Sequence, residues 1–363
     1  MKDHELPAGI ASRQIQPWAI MEAIGWLERI DPGAHRRIKG LRLVTAYGIA
    51  AMLGMLPALS HGLAHGSLLS ILTAGFALWA SVSEGRATRP ESSRDLALLV
   101  AAAALGAAIM IALTGVLTGP RRPGPELALA SGAFLVGYLK RFGVLGAGIG
   151  SQIYIGQLLA YGASLTPIDL KMVGVACLIA MPAAIIPRLL SGPAEHPAVA
   201  LAEARGSETP SLLMGIQAAV AAVVIVALND IFGLEESAWA ITACTYVIAS
   251  SRSGTLERVR RRVLGTTIGV PLGLACLPLA IHAPIAVWMA AALAMIIYAM
   301  ALPERYDIAC AAYAFTLIVT MAATGEHSLM LLASRSWETV IGGGLGMAAA
   351  MLIVPSRSSQ FAK

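Results

Sequence analysis

The stretch that decides the fold runs from Asp95 to Thr118, DLALLVAAAALGAAIMIALTGVLT, and after its first residue it carries no charge. As an α-helix it is about 36 Å long, enough to cross a hydrocarbon core of roughly 30 Å. The rest of the chain repeats the pattern, with apolar stretches of about 17 to 25 residues, the length of a membrane span, recurring from Leu41 to Val354. No soluble domain fits between them. Of the 363 residues 57% are hydrophobic and only 13% charged, where soluble domains carry roughly a quarter charged residues. Lipid is therefore the expected solvent.

Working outward from that stretch, spans are expected at 39 to 58, 67 to 83, 95 to 118, 126 to 140, 142 to 162 and 168 to 190. A second set follows at 210 to 229, 237 to 251, 261 to 281, 283 to 302, 306 to 324 and 332 to 354. The expected fold is all-α, a polytopic membrane protein of about twelve transmembrane helices, divided into a first repeat at 39–190, a linker at 191–208 and a second repeat at 209–363. Residues 1–38 lack the basic start, apolar run and cleavage site of a signal peptide and contain Pro7, Pro17 and Pro32, so the N-terminus is expected to be retained. Within them PWAIMEAIGWLERI, 17 to 30, puts Trp18, Met21 and Ile24 on one side and Glu22, Glu28 and Arg29 elsewhere, the pattern of an interfacial helix.

Charge sets the expected orientation. Of 26 Lys and Arg, four (Arg121, Arg122, Lys171 and Arg335) fall on one side of the span pattern and the remaining 22 on the other. By the positive-inside rule both termini are then cytoplasmic, in a multi-pass protein of the cell inner membrane. The net charge of +5 would suggest nucleic acid in a soluble protein, but here the basic residues sit at helix ends and report topology. No nucleic-acid partner is expected. Cys177, Cys244, Cys276 and Cys310 lie inside apolar segments at no metal-ligand spacing, and no nucleotide-binding or nucleophile motif occurs. Neither metal, cofactor nor enzymatic activity is expected.

The two halves resemble each other. Arg141-Phe142 and Arg305-Tyr306 each open an apolar helix reaching Gly162 or Gly325, and each half closes on Pro and Arg, Pro187-Arg188 and Pro355-Ser356-Arg357. Six helices per half is an even number, so the halves are expected to be parallel repeats about an axis along the membrane normal, with a path at their interface.

Within the second half, Arg262-Val263-Leu264-Gly265-Thr266-Thr267-Ile268-Gly269, followed by Pro271 and Gly273, resembles the R-V-L-G-T-x-x-G signature of the fusaric acid resistance family. Arg335-Ser336-Trp337-Glu338-Thr339-Val340-Ile341-Gly342 is similar to that family's R-x-x-[DE]-T-x-x-G pattern on its last helix. The resemblance covers about 120 residues, Ser237 to Arg357. In the first half Arg94-Asp95 sits where the signature should begin, but Gly-Thr does not follow, and Asp169 and Lys171 replace the later motif. Membership of this superfamily, which includes aromatic acid exporters and, distantly, the plant aluminium-activated malate transporters, implies export of small organic anions, aromatic carboxylates above all. Alternatives are a passive organic-anion channel and a non-transporting membrane scaffold. The lipid bilayer and the anion are the expected partners. A periplasmic adaptor has no support here, because the long cytoplasmic domain of many such exporters is replaced by residues 191–208.

Candidate path residues follow from chemistry. Arginine stays charged and offers a planar fork to carboxylates, which singles out Arg262, Arg335 and Arg94, with Glu338 one turn from Arg335 as an i, i+3 partner. Trp239 and Tyr313 supply flat apolar walls, as do Trp79, Tyr154, Tyr246 and Phe315. Gln152 and Gln157 are amides in an apolar run and need partners, and so does Gln217. Gly265, Gly269 and Gly273, spaced by four, and Gly342 are expected to let helices approach closely. For proton coupling, Asp307 and Glu304 flank Arg305 at a helix end, and no acid is expected in mid-membrane.

Overall fold

The structure is a computed structural model that describes residues 25, 27–86, 88–119, 124–191, 211–233, 237–302, 304–323 and 328–353. Most of the interfacial helix expected at 17–30, residues 192–208 of the linker, both termini, Arg121, Arg122, Glu235, Glu236, Gly325 and Pro355-Ser356-Arg357 lie outside the described residues. Among the described residues all regular structure is helical. The first six long helices are α1 (His35–Gly54), α2 (Leu69–Ser83), α3 (Arg89–Leu117), α4 (Leu129–Tyr138), α5 (Gly143–Gly162) and α6 (Leu170–Leu190). They are followed by α7 (Ser211–Phe232), α8 (Ser237–Val247), α9 (Arg252–Ala275), α10 (Pro284–Ala301), α11 (Tyr306–Ala323) and α12 (Leu329–Leu352). The chain is thus an all-α, multi-pass membrane protein, and a long helix overlaps each expected span, that at 261–281 also taking in the short helix Leu277–His282.

Among the described residues six continuous stretches are long and apolar enough to cross a membrane on those grounds alone: Gly66–Ser83, Arg89–Leu117, Pro125–Gly162, Pro167–Leu190, Ser211–Ile231 and Pro284–Ala301. The 38 residues of Pro125–Gly162 would make a rod of about 57 Å, far too long for one span. They are not one rod. Gly143, at φ +76°, turns the chain, and α5 folds back on α4 with Gly146 against Leu139 and Gly150 against Leu135. Basic residues in the first turns of α1 and α9, and Arg335 with Glu338 in α12, lower the hydropathy of those helices. Helix α9 begins nine residues before the apolar run because Ser251 caps it, its Oγ accepting the Gly254 N–H at 3.1 Å.

Glycines set the closest crossings. Helices α3 and α5 run parallel and meet where a Cβ on Gly106 would strike the Ile153 backbone and one on Gly156 the Ala103 backbone. Helices α9 and α11 do the same, with Gly265 on the Asp307 carbonyl and Gly269 on Ala311. In lipid, where apolar side chains gain little by leaving the solvent, such backbone approach supplies the packing energy. Gly273 meets the Ile318 side chain and Gly342 the Ala240 carbonyl, which joins α12 to α8.

Within the first half α1 packs on α2 and α6, α3 on α5 and α6, and α4 on α5; within the second α7 packs on α8 and α12, α9 on α11 and α12, and α10 on α11. The halves join through α1 on α10, at Gly40 and Ile296, and through α4 on α7, at Phe134 and Gly215. At the end of the bundle opposite the basic turns, Asp169 accepts the Thr166 N–H at 2.9 Å and the His65 Nδ1–H at 2.8 Å, tying the α1–α2 connection to the α5–α6 turn.

Candidate functional site

A cluster of arginine and aromatic side chains lies where α2 and α5 of the first half face α8, α10, α11 and α12. Trp79 of α2 meets Tyr313 of α11 edge to face, with centroids 5.5 Å apart, and Tyr298 of α10 at 6.2 Å. Tyr154 of α5 packs against Tyr246 of α8 at 5.9 Å. Thr242 commits its one proton to the Ala238 carbonyl at 2.8 Å, so the Tyr154 hydroxyl must donate to the Thr242 Oγ1, also at 2.8 Å. Ser151 and Tyr246 share a second bond across the same seam at 2.7 Å. Apolar helices present these groups because all their own backbone polar groups are satisfied internally, which leaves side-chain hydroxyls to find one another.

Arg335 stands at the centre. It is the seventh residue of α12 and only 5% exposed. Its guanidinium carbon lies 3.9 Å from the ring centroid of Trp239 and 5.1 Å from that of Tyr313, so the charge is held against aromatic faces. Its Nε and Nη1 have no hydrogen-bond partner. Glu338, one turn on, is 0% exposed. Helix α9 runs antiparallel to α12, with Arg252 donating to the Met351 carbonyl at 3.1 Å and Val259 beside Gly343. That register carries Arg262, 9% exposed, toward the same depth from the opposite end. Its Nη1 donates to the Tyr306 hydroxyl at 3.1 Å, and its Nε has no hydrogen-bond partner.

Of the other candidates, Gln152 donates to the Trp79 carbonyl at 2.7 Å and to Ser83 at 2.9 Å, anchoring the α2 aromatic that reaches across to the second half. Gln157 donates to Ser131 at 2.8 Å and so ties α5 to α4. Arg94 does not join the cluster: its side chain is 64% exposed and pairs with Asp95 at 3.2 Å. Tyr298 and Tyr306 belong to the cluster although nothing in the sequence marks them as site residues over other tyrosines. A second group of buried charges was also unforeseen. Lys39 donates to the Glu84 carbonyl at 2.8 Å, Ser92 donates to the Glu84 carboxylate at 2.5 Å, and Arg42 and Arg188 each lie 3.9 Å from that carboxylate. It ties together the ends of α1, α2, α3 and α6 and shares no residue with the Arg335 cluster.

Residues 219–349 match the family model described as fusaric acid resistance protein-like, which bears out the resemblance read from the two motifs. The match takes in every second-half residue of the cluster, Trp239, Tyr246, Arg262, Tyr298, Tyr306, Tyr313, Arg335 and Glu338. Neither a search of curated proteins nor one of solved structures returns a match.

Proposed function

With a second half of fusaric acid resistance type, we propose that the chain is a membrane transporter of small organic anions, aromatic carboxylates foremost, with a path between two parallel six-helix repeats. One observation carries the reading: Arg335, a permanent cation buried in an apolar bundle, is pressed against Trp239 and Tyr313 while Nε and Nη1 make no hydrogen bond. Such an arrangement offers a carboxylate two N–H donors and the attached ring an aromatic wall. Burying a guanidinium in an apolar bundle is costly even with Glu338 one turn away, and a translocated anion offsets part of that cost. Arg262 adds a second cation from the other end of the bundle.

The repeat draws support from the helix pairings, in which α3 on α5 and α6 is matched by α9 on α11 and α12, and α1 on α10 by α7 on α4. Orientation rests on the charge split, with both termini, Arg86 to Arg94 and Arg252 to Arg262 assigned to the cytoplasm. Membrane-impermeant labelling of a single cysteine placed at Gly254, in a background without the four native cysteines, should fail from outside intact cells; labelling there would reverse the assignment.

Transport itself is tested with purified protein in liposomes loaded with labelled benzoate and other organic anions. Benzoate efflux above that of protein-free vesicles is expected, and no flux of any organic anion would refute the reading. Flux that follows the membrane potential alone, with no exchanged ion, would make the protein a channel rather than a carrier.

A further inference from the structure

We propose that the reversal between α4 and α5 holds an anionic phospholipid, its phosphate received by Arg141 and its acyl chains covering Phe142. The inference stands apart from the transporter reading and concerns a different end of the bundle. It starts from a stack along α4. Phe134 and Tyr138, one turn apart, lie with ring centroids 5.1 Å apart and planes at 21°, and the Arg141 guanidinium carbon continues the stack 3.9 Å from the Tyr138 centroid. The same carbon is 4.5 Å from the centroid of Phe142. Gly143, at φ +76°, turns the chain directly afterwards. An arginine at the end of a membrane helix ordinarily reaches away from the apolar zone into water, whereas this one is folded back onto the last turn of α4.

Ring faces take up the flat side of a guanidinium and leave the N–H donors in its plane to other partners. Among the described residues Arg141 makes no hydrogen bond and no ion pair. Position decides what those donors meet. The reversal joins two membrane helices and so lies at headgroup level, where phosphate oxygens match the planar fork. Phe142 beside it is 60% exposed, an apolar ring suited to the boundary where headgroups give way to acyl chains. The turn that resembles this one in sequence, Arg305-Tyr306, lacks both features: Arg305 pairs with Asp307 at 3.0 Å, and the Tyr306 hydroxyl is taken by Arg262. The place also borders the contact between the halves, since Phe134 meets Gly215 of α7 and α7 packs beside residues 139–142. A phosphodiester with no cation of its own fits best, because a choline headgroup adds a positive charge that Arg141 repels.

Native mass spectrometry of the purified protein, equilibrated in mixed micelles with equal amounts of phosphatidylglycerol and phosphatidylcholine, counts the lipids retained. Arg141→Gln is expected to retain one phosphatidylglycerol fewer than wild type. Arg305→Gln removes another exposed charge and should keep the wild-type count, while Phe142→Ala should release that lipid at lower activation energy. Arg141, Phe142 and Arg305 are all exposed, so the variants keep the fold. An unchanged count in Arg141→Gln, unchanged release in Phe142→Ala, or an equal loss in Arg305→Gln would overturn the proposal, the last by showing that general surface charge gathers the lipid. Displacement of the lipid by an equal concentration of glycerol phosphate would overturn it too, because the site would then take the phosphate alone.

Discussion

Replacing Gly269 by alanine should loosen the second half of the bundle measurably. A Cβ there would overlap the Ala311 carbonyl oxygen and stand 2.9 Å from both the Ala311 Cα and carbonyl carbon, where ordinary contact begins at 3.4 Å. All these are backbone atoms, so no rotamer change relieves the overlap, and α9 and α11 must part by at least about 0.5 Å. Overpacking of this kind costs about 1 to 3 kcal/mol, against which the better helix propensity of alanine returns up to about 1 kcal/mol. Gly344 is the internal control: it too lies inside a helix, but a Cβ there meets nothing within 4 Å. Gly344→Ala should be neutral or stabilising. Thermal unfolding of both variants in detergent, followed by tryptophan fluorescence, should place Gly269→Ala below Gly344→Ala by at least roughly 2 °C, with Gly344→Ala at or above wild type. Because Arg262 lies two turns from Gly269 on α9, Gly269→Ala should also weaken the Arg262 bond to Tyr306 and slow benzoate flux. A Gly269→Ala protein as stable as Gly344→Ala would refute glycine-mediated contact as what holds α9 to α11.

Two further outcomes follow from the hydrogen bonds. Tyr154→Phe removes the donor to Thr242 that joins α5 to α8, which should cost about 1 kcal/mol in the same melt, and Thr242→Val combined with it should add less than its separate effect. Asp169→Asn weakens the bonds from the Thr166 N–H and His65 and should melt below wild type by about 1 kcal/mol, and an unchanged melt would show that they do not hold the α1–α2 connection to the α5–α6 turn.

How far the sequence carries the structure can be judged helix by helix. Spans such as 95–118 are legible because a membrane helix must be apolar along its whole length, and Lys140-Arg141 marks the reversal between α4 and α5 because no charge would stand there inside one span. The start of α9 is not legible: a capped, basic helical extension looks like a loop when apolarity is the guide. Arg335 and Glu338 are read as path candidates one turn apart, and both are buried within the bundle. The side chain that holds Arg335, Trp239, lies on α8, and nothing local in the sequence of α12 announces it. The motif residues of the second half were legible as a group through the resemblance of their two stretches to a family signature. The hydroxyl bonds from Ser151 and Tyr154 to Tyr246 and Thr242 were not, because they form between helices that only the packing of the two halves brings together.

The central claim is that Arg335 receives the anion, and substitution at that residue in the liposome assay tests it most directly. Arg335→Gln should abolish benzoate flux while monodispersity in detergent stays at the wild-type level, and Arg335→Lys, which keeps the charge but loses the planar fork, should retain a part of it. Wild-type benzoate flux through a folded Arg335→Gln protein would contradict the account and leave Arg335 a structural residue held by Trp239.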